Sequence, residues 1–417
     1  MTGGSSSHLD VRMRGFSARA LVAQVREWID QQSVPLSGEE VGIAEAHGRV
    51  LAADVVSSID VPEFHRAAMD GYALRGAETT GAGDYNRLAF EIVGESLPGH
   101  AFAGSVQAGQ AVRIMTGAPI PDGADAVLPA EYASENDNRV EISTAVAPQK
   151  HVAPRGEDVK QGTTIAAAGR RLRPQDVGLL ASVGCATVPA IRQPRVRILA
   201  TGNEIVQPGD ERKPHQIFDA NSHMLGGLVA RDGGVLETCS ALADSREAIR
   251  DAMIAPGADV VLVTGGSSVG AEDHAPMVLA AEGELAIHGI AMRPSSPAGM
   301  GKIGKRLVFL LPGNPVSCLC AYDFFAGRAI RLLGGRSADW PYASRSVTVG
   351  RKIVSAVGRM DYVRVAIVDG CVEPLAVGGA SILSSTTRAD GFVIIPESSE
   401  GVAPGGEVLF YQYDLIS

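Results

Sequence analysis

The chain has few cysteines, few aromatic residues and no recurrent metal-ligand pattern among its 417 residues. Its five cysteines, Cys185, Cys239, Cys318, Cys320 and Cys371, are an odd number without a C-x-x-C pair. Neither a zinc site nor a disulfide framework is therefore indicated. The nine histidines include no H-x-x-x-H pair, so we expect no structural metal.

Long apolar segments and basic excess are also missing. No run approaches about 18 apolar residues, and no charged-then-apolar leader opens the chain, so we expect a cytoplasmic protein without direct membrane insertion. The net charge of -10 argues against a nucleic-acid partner. No G-x-G-x-x-G opens a helix after a strand, and G-x-x-x-x-G-K-[ST] is absent, which disfavours a dinucleotide dehydrogenase and a P-loop enzyme.

The apolar content of 45% and the charged content of 20% are ordinary for a globular protein. A chain of this length is too long to fold around a single hydrophobic core, so we expect roughly three or four domains.

Three apolar strands each run directly into a loop marked by glycine or proline. The segments are R-I-L-A-T-G-N-E (197–204), V-V-L-V-T-G-G-S-S-V-G (260–270) and V-F-L-L-P-G-N-P-V-S (308–317). Parallel strands bring such loops to one edge of a sheet, where glycine lets backbone N–H groups approach a phosphate-like ligand. The sequence thus predicts one oxyanion pocket.

Helices are predicted between these strands. Asp244 to Ala255 reads as a helix with a capping box of Asp244 and Glu247, Pro276 suits the first turn of a second helix, and a third should run from Pro315 to about Leu333. Alternating strands and helices predict a parallel sheet with right-handed crossovers and ligands at the strand carboxyl ends.

The flanking regions differ in pattern. Apolar residues at helical spacing predict a helix from about Leu21 to Ile29, with Ser17 as its cap. Short β-like runs with glycines follow over 61–148, and alternating stretches beyond Trp340 predict a small antiparallel barrel or sandwich.

Four ordered motifs accompany the T-G-G-S-S-V-G loop: D-V-P-E-F-H-R-A-A-M-D-G-Y-A (60–73), R-I-M-T-G-A-P-I-P-D-G-A-D-A-V (113–127), P-R-G-E-D (154–158) and L-P-G-N-P-V-S (311–317). With them, residues 16 to 415 resemble the MoeA/gephyrin E-domain family of molybdopterin molybdenumtransferases.

The resemblance implies a multidomain α/β plus β fold. It comprises a MogA-like three-layer α/β domain with a parallel-rich sheet, an inserted β-rich domain and a C-terminal small β-barrel. The implied divisions are a disordered tail (1–15), an elongated linker domain I (16–61 and 149–191), an inserted β-rich domain II (62–148), a molybdopterin-binding domain III (192–336) and a barrel domain IV (337–417).

The implied reaction inserts molybdate into adenylylated molybdopterin, with Mg²⁺ present, and releases AMP. The family also implies a homodimer with its active site in a cleft between subunits, and partners among the molybdopterin-pathway enzymes. Catalytic roles then fall on Asp70, Asp158 and Glu204, and metal-binding roles on Asp70, Glu204, Asp219 and Asp273. The implied ligand contacts are Thr116, Gly265, Gly266, Ser267, Ser268, Arg293, Ser296, Pro312, Gly313, Asn314, Ser317, Arg364 and Ser381. Turn or cap roles are the structural alternative for Asp70, Asp219 and Asp273.

The sequence departs from the family at R-P-S-S-P (293–297), where K-P-G-K-P is typical and its two lysines help bind molybdate and phosphate. Arg293 keeps one positive charge, whereas Ser296 removes the other. Asn203 and His274 are further departures. These changes motivate an alternative, a gephyrin-like scaffold that docks the peptide tail of a membrane receptor or a tubulin-like cytoskeletal protein. The retained phosphate loops and carboxylates favour the enzyme.

Overall fold

A computed structural model describes residues 19–266, 274–376 and 379–413. The chain forms two compact units: one contains residues 1–39, 48–52 and 190–417, and the other contains 40–47 and 53–189. In the described part of the chain, no helix combines the length and apolar character needed to span a bilayer.

The described residues contain eight α-helices, α1 to α8, and twenty-eight strands, β1 to β28. The helices are α1 (Val22–Gln32), α2 (Pro174–Ser182), α3 (Asn221–Arg231), α4 (Arg246–Ile254), α5 (Ala275–Glu282), α6 (Pro315–Ala321), α7 (Gly327–Leu333) and α8 (Ser384–Thr387). The strands are β1 (Gly38–Gly42), β2 (Val55–Val56), β3 (Arg66–Ala67), β4 (Gly71–Leu74), β5 (Leu88–Ser96), β6 (Gln110–Ile114), β7 (Ala126–Pro129), β8 (Ala133–Asn136), β9 (Arg139–Ile142), β10 (Val152–Ala153), β11 (Thr164–Ala166), β12 (Thr187–Ile191), β13 (Arg195–Thr201), β14 (Ile205–Val206), β15 (Ile217–Phe218), β16 (Val235–Leu242), β17 (Val260–Thr264), β18 (Glu284–His288), β19 (Met292–Arg293), β20 (Gly299–Ile303), β21 (Arg306–Leu311), β22 (Ser344–Thr348), β23 (Ile353–Val354), β24 (Met360–Val368), β25 (Cys371–Ala376), β26 (Gly391–Ile395), β27 (Gly401–Val402) and β28 (Glu407–Gln412).

The α/β part of the first unit is built on a six-stranded sheet of order β16-β13-β17-β21-β20-β18. The four strands β16, β13, β17 and β21 pair in parallel. Strand β20 pairs antiparallel with β21, and β18 pairs antiparallel with β20, so only β20 runs against the other five. One sheet face shares a core with α1, α3, α6 and α7, and the other face shares a core with α4 and α5. This arrangement confirms the predicted three-layer architecture.

Helix α1 shows why the apolar spacing was informative. Val22, Val25 and Ile29 are buried in the core of the α/β part. Burying each such side chain contributes about 1.5–3 kcal/mol, so this helix is held mainly by packing. Leu21 stands at the N-cap position, and the predicted cap Ser17 lies outside the described residues.

Two of the three predicted helices of the α/β part follow the sequence closely. Helix α5 starts at Ala275 with Pro276 in its first turn, and α6 and α7 are joined by a π-helical turn, Tyr322–Ala326, into one run from Pro315 to Leu333. The capping box predicted for α4 is wrong. The helix begins at Arg246, and Ser245 is its N-cap, with Oγ accepting from the Ala248 N–H at 3.5 Å. The cap is therefore Ser245, one residue after the predicted Asp244, and its hydroxyl oxygen accepts from a first-turn N–H that has no partner within the helix.

The predicted C-terminal barrel is confirmed. Strands β25, β24, β26, β28 and β22 follow one another, and Val349 after β22 bridges back to Val372 in β25. The Gly350 N–H donates to the Val372 carbonyl at 3.0 Å, which closes the ring. Valines and isoleucines of these strands fill its interior.

The second unit contains the predicted β-rich region. Its six-stranded sheet has the order β7-β4-β6-β5-β9-β8, with an apolar core between residues 72 and 146. The two compact units divide the chain differently from the four expected domains, whose boundaries stay a prediction.

Candidate active site

The three predicted loops meet at the carboxyl edge of β13, β17 and β21, which are neighbours in the sheet. A cavity of about 370 Å³, here called the loop cavity, is lined by residues from all three loops. Glu204 follows β13, Gly265 follows β17, and Gly313 and Asn314 follow β21. The expected convergence of the loops on one pocket is confirmed.

Backbone geometry explains the glycine in the second loop. Gly265 has φ +86, and a Cβ at this position would lie 2.2 Å from the carbonyl oxygen of Thr201. Both the left-handed conformation and the close approach of the first loop exclude a side chain here. Gly266, the next predicted contact, also has a positive φ, of 53.

Asn221 ties the second and third loops together. Its Nδ2 donates to Thr264 Oγ1 and to the Gly313 carbonyl, both at 2.8 Å. Its Oδ1 is buried and has no partner among the described residues. The sequence does not indicate this role, because the two partners of Asn221 lie 43 and 92 positions away along the chain.

Two predicted carboxylates line the loop cavity. Glu204 is exposed, whereas Asp219 is 4% exposed. Asp219 Oδ1 accepts from the Ser222 N–H at the start of α3 at 3.0 Å, as in the cap role given above as the structural alternative. Its Oδ2 is buried without a partner among the described residues. Within the described ranges, no group of three His, Cys, Asp or Glu residues has metal-binding geometry. The predicted ligand Asp273 and the predicted contacts Ser267 and Ser268 lie outside those ranges.

A second cavity of about 330 Å³, here called the arginine cavity, adjoins the third loop. Asn314 lines both cavities. Other predicted contacts share its lining: Arg293, Ser296, Pro312, Ser317 and Arg364. The lining does not include Ser381, which is exposed, although its neighbour Ala380 is part of it.

The charge of the arginine cavity is partly neutralised from within. Arg293 Nε donates to Asp361 Oδ1 at 3.0 Å, and Nη2 donates to Oδ2. The Asp361 carboxylate is 4% exposed and also accepts from Ser355 Oγ at 2.8 Å. A buried carboxylate thus engages the donor fork of Arg293, the cationic residue expected to bind the oxyanion.

Three predicted residues, Asp70, Thr116 and Asp158, lie in the second unit. Asp70 Oδ1 accepts from the Thr116 N–H at 2.6 Å and from Thr116 Oγ1 at 2.7 Å. These two hydrogen bonds, the backbone one first, lower the pKa of the Asp70 carboxyl. Asp158 is exposed, and its N–H donates to the Val61 carbonyl at 3.0 Å.

In the first unit, glycine loops and an arginine-lined cavity meet at one edge of a parallel sheet, an arrangement that suits a nucleotide or phosphate ligand beside a small oxyanion. Fold and site therefore define a multidomain α/β protein with added β domains and phosphate-type glycine loops.

Family models match most of the chain. They are the MoeA N-terminal region (domain I and II) over residues 20–184, the "Probable molybdopterin binding domain" over 197–331 and the MoeA C-terminal region (domain IV) over 346–413. The chain belongs to the MoeA family of molybdopterin molybdenumtransferases.

Individual relatives agree. Molybdopterin molybdenumtransferase 2 of Mycobacterium tuberculosis is 34% identical over 384 residues, covering 88% of this chain and 93% of the relative. The molybdopterin molybdenumtransferase of Haemophilus influenzae is 33% identical over 391 residues, covering 91% and 95%. A crystal structure of the molybdopterin biosynthesis MoeA protein of Pyrococcus horikoshii is 30% identical, with a TM-score of 0.81 over 95% of this chain and 99% of that one.

Proposed function

We propose that this chain inserts molybdate into adenylylated molybdopterin during molybdenum cofactor biosynthesis and releases AMP. The observation that carries the proposal is the pair of cavities that share Asn314. A phosphate-bearing ligand held by the loop cavity would stand next to an oxyanion held by the arginine cavity. The names of the relatives favour this enzyme, and no finding supports the scaffold alternative.

The loop cavity suits the nucleotide and phosphate part of the substrate. Gly265 and Gly313 line it without side chains, and Asn221 connects the strand end before Gly265 to the Gly313 carbonyl. Donors arranged before the ligand arrives need little reorganisation, which favours the transition state of phosphoanhydride cleavage.

The arginine cavity suits molybdate. Guanidinium groups hold tetrahedral oxyanions by charge-assisted hydrogen bonds, and Ser296 and Ser317 add hydroxyl groups to the same lining. An oxyanion there would lie close to the third loop, where we place the pterin phosphate. This placement orients the two reactants before chemistry begins.

The loop cavity fits Mg²⁺ through oxygen donors alone. Asp219 Oδ2 and Asn221 Oδ1 are buried without partners among the described residues, and Glu204 lines the same space. Magnesium is commonly held by one or two carboxylates together with substrate phosphates. When bound, the ion would neutralise charge on the phosphoanhydride. We propose Asp219 and Glu204 as its ligands, with Asp273 as a further candidate.

We also propose that the enzyme is a homodimer and that Asp70 and Asp158 are catalytic residues of the second unit. The Thr116 N–H and hydroxyl both donate to the Asp70 carboxylate, which fixes its position and lowers its pKa.

The test is AMP release from adenylylated molybdopterin, molybdate and magnesium by the purified chain. We expect turnover, and a loss of about 100-fold or more for Asp219→Asn, Asp70→Ala and Asp158→Ala. Asp251→Ala, which removes an exposed carboxylate of α4, is the matched control and should keep full activity. No AMP release beside an active relative would remove the proposed function, and sedimentation would test the dimer.

A further inference from the structure

Arg19 reaches the lining of the arginine cavity from a distant part of the sequence. Its Nε donates to Ser296 Oγ at 2.9 Å, although the two residues are 277 positions apart. Ser296 is part of the cavity lining. The position where sequence reasoning saw only a lost positive charge therefore has a guanidinium beside it.

Backbone pairing fixes the segment that carries Arg19. The Ala20 N–H donates to the Gly289 carbonyl at 3.0 Å, and the Ala291 N–H donates back to the Ala20 carbonyl at 2.8 Å. The Ile290 N–H donates to the Ser296 carbonyl at 2.8 Å, which links the same stretch to the cavity wall. The main chain next to Arg19 is thus anchored, while the Arg19 side chain remains exposed.

The charge of Arg19 is not neutralised in the way that the charge of Arg293 is. Asp361 occupies the donor fork of Arg293, whereas no Asp or Glu within residues 19–266, 274–376 and 379–413 forms an ion pair with Arg19. A guanidinium has five N–H donors, and the hydrogen bond to Ser296 uses one. In the part of the chain that the structure describes, no acceptor engages its two Nη groups, which carry four donors.

We propose that Arg19 is an oxyanion-binding residue of the arginine cavity, oriented by Ser296 Oγ. The Arg19 guanidinium binds a tetrahedral dianion at the rim of the cavity. Its charge adds to the attraction from Arg293, which is weakened because Arg293 is paired with Asp361. That the dianion is molybdate rests on the proposed function. The binding chemistry is shared by tungstate and sulfate.

The first experiment is calorimetric titration of the full chain with sodium molybdate and sodium tungstate, without the pterin substrate. We expect Arg19→Ala to raise Kd about tenfold, Arg19→Lys to recover part of the affinity, and Ser296→Ala to give a smaller loss than Arg19→Ala. Arg87→Ala is the matched control, because this exposed arginine lies in the second unit, just before β5 and beside Glu141 of β9. Equal Kd values for wild type and Arg19→Ala would overturn the inference.

The second experiment separates binding from folding. In the AMP-release assay, Arg19→Ala should raise the KM for molybdate about tenfold and leave kcat nearly unchanged, and the added charge of Ser296→Lys should restore the KM of Arg19→Ala. A fall in kcat alone, or no rescue by Ser296→Lys, would contradict an anion-binding role. If the wild type binds molybdate through Arg19 but releases no AMP, the proposed function fails while this inference stands.

Discussion

Arg293 and Asp361 form a two-point ion pair at the wall of the arginine cavity, with Arg293 Nε 3.0 Å from Asp361 Oδ1. The carboxylate is 4% exposed and the arginine side chain 35% exposed. The pair therefore stabilises the wall and, at the same time, reduces the positive potential available to an oxyanion.

Asp361→Asn should separate these two effects. Loss of the buried charge should lower the free energy of unfolding by about 1–3 kcal/mol, because hydrogen bonds to a charged group are lost while Arg293 regains water. Molybdate affinity should rise by roughly threefold or more, since Arg293 is no longer neutralised. Urea unfolding and calorimetric titration measure the two effects, with Asp251→Asn as control. A weaker molybdate affinity at unchanged stability would contradict this account.

Ser295→Gly should lower the free energy of unfolding less than Ser295→Ala does. It has φ +91, a conformation that favours glycine, and its Oγ donates to the Ser317 carbonyl at 2.5 Å. Ser295→Ala keeps the strain and loses the hydrogen bond, at about 1–2 kcal/mol. Ser295→Gly also loses the bond but relieves the strain, so its loss should be about 1 kcal/mol smaller. Urea midpoints of the two variants give the comparison, and an equal or greater loss for Ser295→Gly would show that the backbone is unstrained.

Asn221→Ala should loosen the loop cavity. The change removes two 2.8 Å hydrogen bonds, to Thr264 and Gly313, and should destabilise the chain by about 2–3 kcal/mol. AMP affinity, measured by calorimetry, should fall at temperatures where the variant is still folded. Asn138→Ala, at an exposed turn of the second unit, is the control and should change neither quantity. Normal AMP affinity in a folded Asn221→Ala would show that the tie does not shape the site.

Acid should weaken the β-rich sheet of the second unit through Glu135. Hydrogen bonds from Arg113 and then from Tyr72 lower the pKa of the Glu135 carboxyl to about 2. Because the folded pKa lies below the unfolded value, the contribution to stability is complete above about pH 4.5 and disappears as the pH falls towards 2. The side chain is one third exposed, so the contribution should be below about 1 kcal/mol.

Urea unfolding of wild type and Glu135→Gln at pH 7 and pH 3 checks this expectation. The difference between the two proteins should shrink at pH 3, and Glu131→Gln provides the control for loss of an exposed charge on the same unit. A difference that stays constant between the two pH values would rule out the proposed linkage.

Several features could be read from the sequence because they depend on local pattern and general topology. Apolar strands followed by glycine loops predicted the loop cavity, since parallel strands must end at the same edge. The motif T-G-G marked Gly265 before its φ and its contact with Thr201 were known. The N-cap of α4 was misplaced by one residue because Asp244 and Ser245 are both good caps, and only the path of the chain decides between them.

Other features depend on side chains that meet across long sequence distances. Asn221 contacts Thr264 43 positions away, and Arg293 contacts Asp361 68 positions away. No hydrophobic period, motif spacing or local propensity encodes such pairs, because many other arginines and carboxylates in the sequence are equally plausible partners.

The sequence by itself determined where strands, helices and phosphate-type loops occur, because backbone propensity, apolar period and glycine conformation act within a few residues. Only the tertiary structure decided which charges remain available to a ligand. Arg293 and Arg19 are the same residue type, yet Asp361 is packed against one and the hydroxyl of Ser296 faces the other. Tertiary packing brings these partners together, and the attraction that a charged side chain exerts on a ligand depends on the charges that surround it in space.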